Sequence, residues 1–390
     1  MSYNLHNYPN ARSGGVDISM IEPYYKKIVD VVNPDILVVV EMLTQDGVVR
    51  FKQNVLGGKY SAAEVLIKGN GLDGNDCALF YKDSLFSFVK TTQLPTYTRN
   101  ICEFILAHKF TNDTLIIYGV HLKANTTSGD NSANLERRSA EVDTLRKRTK
   151  LLNGTTNYIV AGDFNILDSY EPAFAKLLDS SARGYFYDPL QAFGAWNNNI
   201  SFAYTHSYSP TKLNTRFDMI LLSQAVIDEG GIDYGAYSFK IFGNDGNHFN
   251  KSILDGTNYW FSDNGYDVGL AVTQASDHLP VYADFDFGVQ TSGVKHDKNK
   301  LEEFSLDQNY PNPFNPETTI NYTLPNSAFV TLKVYDLLGR ETATLVNEFM
   351  SAGSHSTKFS TINNKLTSGF YFYVLKTGNF TAAKKMILNK

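Results

Sequence analysis

A chain of 390 residues, 43% apolar and 19% charged, holds one large globular domain plus a small one and is neither disordered nor collagen-like. Its net charge of −5 excludes a protein that coats nucleic acid by bulk electrostatics, and no stretch reaches the ~20 apolar residues that span a bilayer. Two cysteines, Cys77 and Cys102, are too few for a zinc site built from cysteine alone. The charge is unevenly spread: residues 1–288 carry 24 Lys and Arg against 32 Asp and Glu, whereas residues 289–390 carry 11 against 8.

Taken in chain order, Ile21–Val32 has the apolar spacing of a helix, and Ile36–Glu41, which contains the longest apolar run, reads as a buried strand. Ala78–Tyr81, Ile101–Ala107 and Thr114–His121 read as further strands. Asn134–Leu152 reads as a helix, rich in Arg, Lys and Glu as a solvated face is. Tyr158–Ala161, Phe217–Leu222 and Val281–Phe287 complete the strands, and their interleaving with helices predicts α/β layering for residues 1–288. Residues 289–303 are polar with few aliphatic side chains and make the best linker. Beyond them, alternating segments such as Thr331–Tyr335 and Phe370–Leu375 are separated by turn signals at 337–340 and 367–369, without any helix pattern. Residues 304–390 therefore read as a small β-sandwich, with Tyr371 and Tyr373 in its core by strand alternation.

Several polar residues interrupt runs that would otherwise be plain core. Asn4 follows the opening apolar positions, Glu41 ends Ile-Leu-Val-Val-Val, and His121 ends Leu-Ile-Ile-Tyr-Gly-Val. Gly-Asp-Phe-Asn (162–165) follows Tyr-Ile-Val-Ala, Asp218 sits inside Arg-Phe-Asp-Met-Ile-Leu-Leu, and Ser-Asp-His-Leu-Pro-Val (276–281) opens the last strand. Ligands bind outside strand ends in layered α/β folds, so these residues could share one site. Carboxylate and amide oxygens suit a hard cation such as Mg²⁺ or Mn²⁺, and histidines near carboxylates offer acid–base groups and donors to a phosphoryl oxygen. Singly, each has a plainer reading: a strand-end Glu is usually a surface or capping residue, an Asp-His pair a local hydrogen bond, and Gly-Asp-Phe-Asn an Asx-type turn. Their joint occurrence in this order favours the chemical reading.

These motifs resemble the endonuclease/exonuclease/phosphatase superfamily, which includes deoxyribonucleases, abasic-site endonucleases, inositol-phosphate phosphatases and bacterial sphingomyelinases. The resemblance covers residues 1 to about 287 and rests on Tyr-Asn (3–4), Pro-Asp-Ile-Leu with Glu41, Val-His-Leu (120–122), Gly-Asp-Phe-Asn, Arg-Phe-Asp-Met-Ile-Leu and Ser-Asp-His-Leu-Pro-Val. It implies a four-layer α/β sandwich of two packed mixed sheets flanked by helices. It also implies that Glu41 holds the catalytic metal (Mg²⁺, or Mn²⁺ or Ca²⁺) with Asn4 beside it, that Asp163 activates or positions water, and that Asn165 orients phosphate. Asp277 would lie at a second metal position, His278 would contact the scissile phosphate polarised by Asp218, and His121 would act near the leaving group. Either Asp163 or His278 would be the base. An acidic partner for His121 is expected just before Ala78–Tyr81, and Asp76 stands near that place. Val40 stands where relatives usually carry Gln, and the Arg that follows the Glu in pancreatic-type deoxyribonucleases is missing from Met42–Asp46.

Gln-Asn-Tyr-Pro-Asn-Pro-Phe-Asn-Pro (308–316), Val-Tyr-Asp-Leu-Leu-Gly-Arg (334–340), Ser-Gly-Phe-Tyr-Phe-Tyr (368–373) and Lys-Lys-Met-Ile-Leu (384–388) look like a type IX secretion C-terminal sorting domain of immunoglobulin-like form. That resemblance implies export through the type IX machinery to the cell surface or beyond. Met1 leads straight into Ser-Tyr-Asn-Leu without a signal-peptide pattern, so export implies a trimmed N-terminus or a misplaced start codon. Export also predicts a Cys77–Cys102 disulfide. The resulting expectation is a secreted metal-dependent phosphodiesterase acting on nucleic acid. The alternatives are a sphingomyelinase-type enzyme acting on phospholipid and an inactive surface binding protein of the same fold. The aromatic and polar stretch Tyr237–Val272 suits a groove wall for bases better than a membrane-inserting loop.

Overall fold

A computed structural model describes residues 1–69, 71, 74–126, 130–228, 231–235, 238–288, 304–324, 328–337, 339–350, 353–361, 366–377 and 380–389. The chain divides into two compact units, Met1–Thr291 and Ser292–Lys390. The expected linker, 289–303, lies outside the described residues, as do residue 338 of the expected turn and Tyr237.

The first unit is built on two mixed sheets. The six-stranded sheet runs Lys240–Ile241, Val281–Tyr282, Ser2–Tyr8, Ile36–Met42, Ala78–Tyr81, Ser61–Ala62. The five-stranded sheet runs Phe86–Leu94, Ile101–His108, Thr114–His121, Asn157–Asp163, Asp218–Leu222. Each contains one parallel pair: Ser2–Tyr8 with Ile36–Met42, and Thr114–His121 with Asn157–Asp163. Val38 and Val39 of one sheet share a buried core with Phe104, Ile117 and Ile159 of the other, so the sheets pack face to face. Helices Glu22–Val32 and Tyr266–Ala275 pack on each other, and the first buries Tyr25, Ile28 and Val29, each worth ~1.5–3 kcal/mol. On the far side, Val142 and Leu145 of helix Ser132–Thr149 and Phe174 and Leu177 of Pro172–Leu178 cover Tyr118, Tyr158 and Val160. The result is the four-layer α/β sandwich expected.

Some elements differ from their sequence signals. Val281–Phe287 is two strands: Val281–Tyr282 joins the six-stranded sheet, while Phe285–Phe287 pairs with Ile232–Tyr234 in a separate ribbon. At the break between them, the Asp284 carbonyl accepts the Gly235 N–H. Strand Phe86–Leu94 and helix Gln45–Asn54 have no counterpart among the expected elements. The helix buries Val48 and Phe51 and starts on a cap, Thr44 Oγ1 accepting the Gly47 N–H.

The expected disulfide is absent. Cys77 and Cys102 are free, buried thiols. They approach closely enough for hydrogen bonding to each other to help raise the Cys77 thiol, together with burial. The Cys102 thiol also reaches Asn75 Oδ1 at 3.1 Å, and Cys77 Sγ fills the space a Cβ would take at Gly119. Each sulfur thus has a settled non-covalent place.

The second unit is a β-sandwich. Ser305–Leu306, Glu317–Leu324 and Gly353–Ser360 form one sheet, and Glu341–Met350, Ala328–Tyr335, Gly369–Thr377 and Phe380–Leu388 the other. Ile320, Tyr322 and Phe359 face Val330, Leu332 and Val334 in one core. Tyr371 and Tyr373 are buried there as alternation required, with Phe370 and Phe372 outward. The Tyr373 hydroxyl donates to the Asp307 carbonyl (2.7 Å) and accepts the Asn309 N–H (2.8 Å).

Candidate active site

Strand ends from both sheets meet at the site. His121, Asp163 and Asp218 are register partners on three adjacent strands, so they stand in a row on one face, about 4.8 Å from strand to strand. Gly162 permits this. A Cβ there would lie 1.9 Å from the Val120 carbonyl oxygen, so any side chain would force the parallel pair apart beside His121 and Asp163.

The six-stranded sheet contributes through irregularity. Asn4 is the register partner of Val40, and strand alternation alone would send Glu41 to the opposite face. Glu41 instead adopts φ 60°, a left-handed conformation that costs a non-glycine residue roughly 1–2 kcal/mol, and its carboxylate meets Asn4. The strand Ser2–Tyr8 is also bulged: its register shifts between Asn4 and Tyr8, with φ 48° at His6 and 60° at Asn7. The Asn7 N–H thereby donates to Glu41 Oε2 (2.7 Å) and the His6 N–H to Asn4 Oδ1 (2.8 Å). With its oxygen engaged, Asn4 turns Nδ2 inward, donating to Glu41 Oε1 (2.9 Å) and Asp163 Oδ2 (3.1 Å). As placed, Asn4 meets the carboxylates as a positioning donor rather than as an oxygen ligand.

Two histidine–carboxylate pairs flank the acidic pair. His278 Nδ1 lies 2.8 Å from Asp218 Oδ2, which also accepts the Ser207 hydroxyl at 2.8 Å. Burial opposes charge on His278, but Asp218 and Asp163 outweigh it and raise the imidazole to about 10. Burial raises Asp218, with His278 and Ser207 acting against that rise. The pair is therefore imidazolium and carboxylate near neutrality, with His278 Nε2 3.7 Å from Asp163 Oδ2. Tyr208 presents its ring edge-on to His278, centroids 4.9 Å apart. His121 Nδ1 lies 2.7 Å from Asp76 Oδ2, so Asp76 fills the place the sequence left for an acidic partner. Burial and Arg99 oppose charge on His121, but Asp76 and Asp163 outweigh them and raise it. Its Nε2 lies 3.8 Å from Asp163 Oδ2 and 4.0 Å from Glu41 Oε1.

Among the described residues, Glu41, His121 and Asp163 form a group whose ligand atoms all lie within 4.8 Å of one another. Glu41 and Asp163 share one neutral amide, so the negative charge between them fits a hard divalent cation with oxygen donors. Asp277 is outside that group: its Oδ1 lies 3.3 Å from His6 Nδ1, and its side chain is 40% exposed. Asn165, at φ 52°, donates its N–H to Asp163 Oδ1 (2.9 Å) and its Nδ2 to the Leu122 carbonyl (3.1 Å), which braces the turn that carries Asp163.

Sequence reasoning missed His6, Arg99, Ser207 and Tyr208. His6 shares strand alternation with Asn4, a signal that could have found it. Arg99 donates to the carbonyls of His121 and Leu122, and nothing in its local sequence marks that. In the aromatic stretch before Val272, Phe239, Phe242 and Phe261 are buried, Phe249 and Trp260 are partly buried, and Tyr259 and Tyr266 are largely exposed. Its polar residues brace the loop, as Asn258 does in donating to the carbonyls of Gly243 and Ile253, and tie it down, as Asn244 does in donating to those of Ala203 and His206. Three of its rings thus belong to the core rather than to a groove wall.

The sequence profile of the Endonuclease/Exonuclease/phosphatase family matches residues 1–278. The chain belongs to that family. Residues 308–389 match the Secretion system C-terminal sorting domain. Similar solved structures include an endonuclease/exonuclease/phosphatase family protein from Bacteroides thetaiotaomicron (17% identity over 73% of this chain and 96% of that chain, TM-score 0.48). D. rerio TDP2 complexed with single-strand DNA product is 15% identical over 73% of this chain and 97% of that chain, TM-score 0.47. Sphingomyelinase C from Streptomyces griseocarneus is 14% identical over 62% of this chain and 86% of that chain, TM-score 0.42. No curated protein sequence matches. The span matched to the endonuclease/exonuclease/phosphatase family takes in every site residue from Asn4 to His278.

Proposed function

We propose that this member of the endonuclease/exonuclease/phosphatase family is an exported, divalent-cation-dependent phosphodiesterase that hydrolyses nucleic acid. The observation that carries the reading is the convergence of His278–Asp218 and His121–Asp76 on Asp163, with Glu41 tied to the same carboxylate through Asn4. A Mg²⁺, Mn²⁺ or Ca²⁺ ion held by Glu41 and Asp163 would supply positive charge to a phosphoryl oxygen. His278, oriented by Asp218, presents Nε2 toward Asp163 as a donor to a second phosphoryl oxygen. Asp163 Oδ2, which Nε2 of both imidazoles faces, is the proton acceptor for attacking water in this reading. His121, turned by Asp76, presents Nε2 on the opposite flank, where a leaving oxygen takes up a proton. The sorting domain supports export by the type IX machinery. Among the described residues no helix is long and apolar enough to cross a membrane.

The test is a substrate panel of DNA, RNA, sphingomyelin vesicles, inositol phosphates and a bis-aryl phosphodiester, with and without EDTA. DNA or RNA cleavage should appear with the cation and fall at least ~10²-fold on its removal. Sphingomyelin hydrolysis without nucleic-acid cleavage would replace the nuclease reading with the phospholipid one. No turnover of any substrate would favour an inactive binding protein.

We further propose that residues 1–288 are the catalytic domain and residues 304–390 are dispensable for chemistry, since every candidate site residue precedes Gly288. A chain shortened to residues 1–288 should keep kcat/KM within about twofold and lose surface delivery in an exporting host. Intrinsic activity lost from a folded, shortened chain would place part of the site in the tail.

A further inference from the structure

Beside His121 lies a feature that the chemistry above does not use. A cavity of about 260 Å³ is lined by Pro95, Thr96, Tyr97, Arg137, Glu141 and Thr144. Tyr97 is 63% exposed, and the Arg137 guanidinium lies over its ring, 5.3 Å from the centroid. The cavity adjoins the site through the backbone: the Lys123 N–H, two residues past His121, donates to Glu141 Oε2 (3.0 Å).

The charges around it are unbalanced. Lys123 lies within the fields of Arg99, Arg137 and Arg138, with the Glu141 carboxylate opposing them. Arg138 is taken by Glu171, and Arg99 is turned onto the carbonyls of His121 and Leu122. Lys123 Nζ reaches the Ala124 carbonyl, and Arg137 has the Tyr97 ring. Among the described residues, neither Lys123 nor Arg137 forms an ion pair within 4.0 Å. The nearby Glu141 is buried, and its Oε1 has no hydrogen-bond partner. On a domain with an excess of acidic residues, cations gathered beside an exposed aromatic ring call for an anion that also has a flat face.

We propose that Tyr97, Arg137 and Lys123 form a subsite for the nucleotide next to the scissile phosphate in a single polynucleotide strand, with the base on Tyr97 and the flanking phosphate on the cations. This rests on the nuclease reading of the adjoining site. Charge complementarity selects the occupant. A base stacked on an aromatic contributes ~1–3 kcal/mol whatever its identity, and a phosphate on Arg137 releases counterions. The subsite therefore favours a strand over a small diester without reading its sequence.

The experiment measures binding of a labelled single-stranded 12-mer of DNA by fluorescence anisotropy in EDTA, so that binding is read without cleavage. The proteins are the full chain and its Tyr97→Ala, Arg137→Ala and Phe110→Ala variants. Phe110 is 74% exposed at the other end of the strand that carries His121 and serves as the control. Tyr97→Ala should bind about 10-fold more weakly. Arg137→Ala should weaken binding and reduce the slope of log K against log salt by about 0.7, a change that loss of packing alone would not produce. Phe110→Ala should match the unaltered chain. Unchanged affinity in both subsite variants overturns the proposal, as does a full chain that fails to bind the 12-mer. Tyr97-dependent binding to anionic lipid vesicles in place of the 12-mer overturns it as well. Cleavage of the same 12-mer with Mg²⁺ separates the two readings. Subsite-dependent binding without cleavage keeps the subsite and removes the nuclease, whereas cleavage with subsite-independent binding does the reverse.

Discussion

Replacing Glu41 with glycine should abolish most phosphodiester hydrolysis and, in the absence of divalent cation, leave stability within a few kcal/mol of the unaltered chain. The loss of activity should be at least ~10²-fold in kcat/KM, the scale seen when a single group that stabilises the transition state is removed. Glu41 carries one of the two carboxylates that would hold the cation, and it anchors Asn4 and the Asn7 N–H. Two effects favour the stability of the variant. Glycine adopts the φ of 60° found at this position without the penalty of roughly 1–2 kcal/mol that a side chain incurs. Removing one carboxylate also relieves its repulsion with Asp163. Loss of the two hydrogen bonds to the carboxylate opposes these gains at ~1.5–3 kcal/mol each. Thermal melts in EDTA and initial rates in Mg²⁺ check the two halves independently. An inactive variant that melts well below the unaltered chain would show that Glu41 holds the fold together. A variant that keeps most of its activity would remove Glu41 from the site. His278→Ala should cost activity on the same scale.

Asp188→Ala should destabilise the first unit by ~3–5 kcal/mol. Arg216 is fully buried, held by Asp188 through two hydrogen bonds of 2.8 and 2.6 Å, and stacked over Trp196 at 5.2 Å. Asp188 also accepts the N–H groups of Leu190 and Ala192. Truncating it strands a guanidinium in the interior, where an unpaired charge is far costlier than the pair is favourable. Because Arg216 lies two residues before Asp218, the damage reaches the carboxylate that charges His278. At ~2–4 °C per kcal/mol for a domain of this size, the melting temperature should fall by roughly 10 °C. Asp188→Asn, which keeps the shape and part of the hydrogen bonding, should fall in between. A drop of less than ~2 °C for the alanine variant would mean that Arg216 reaches solvent or finds another partner.

Much of the site was legible because polar residues at the ends of apolar runs stand out from the strand pattern, as Glu41, His121 and Asp163 do. What brings them together was not legible. The left-handed turn at Glu41 and the bulge at His6 and Asn7 are backbone events, and no side chain there demands them as a glycine would. Ser207 lies in irregular chain and reaches Asp218 only through tertiary packing. Reading Val281–Phe287 as one strand failed because apolar alternation continues across Ala283 and Asp284 while the chain moves between sheets. The aromatic richness of 238–272 reflects a core under a long connection, which composition alone does not distinguish from a binding wall. The sandwich at 304–390 was clearer, since its alternation is regular and its turns are marked.

The register row of His121, Asp163 and Asp218 makes the site digital with respect to chain length. Substitutions along Asn157–Asp163 degrade it gradually, by a methylene or a hydrogen bond at a time. A one-residue insertion or deletion within that strand reverses which face every later side chain occupies. Asp163 would then leave the row, and both imidazoles would lose the carboxylate they share. Length variation within this family member should therefore be confined to the loops between strands, and the spacing from Tyr158 to Asp163 should be as unforgiving as the identity of Asp163.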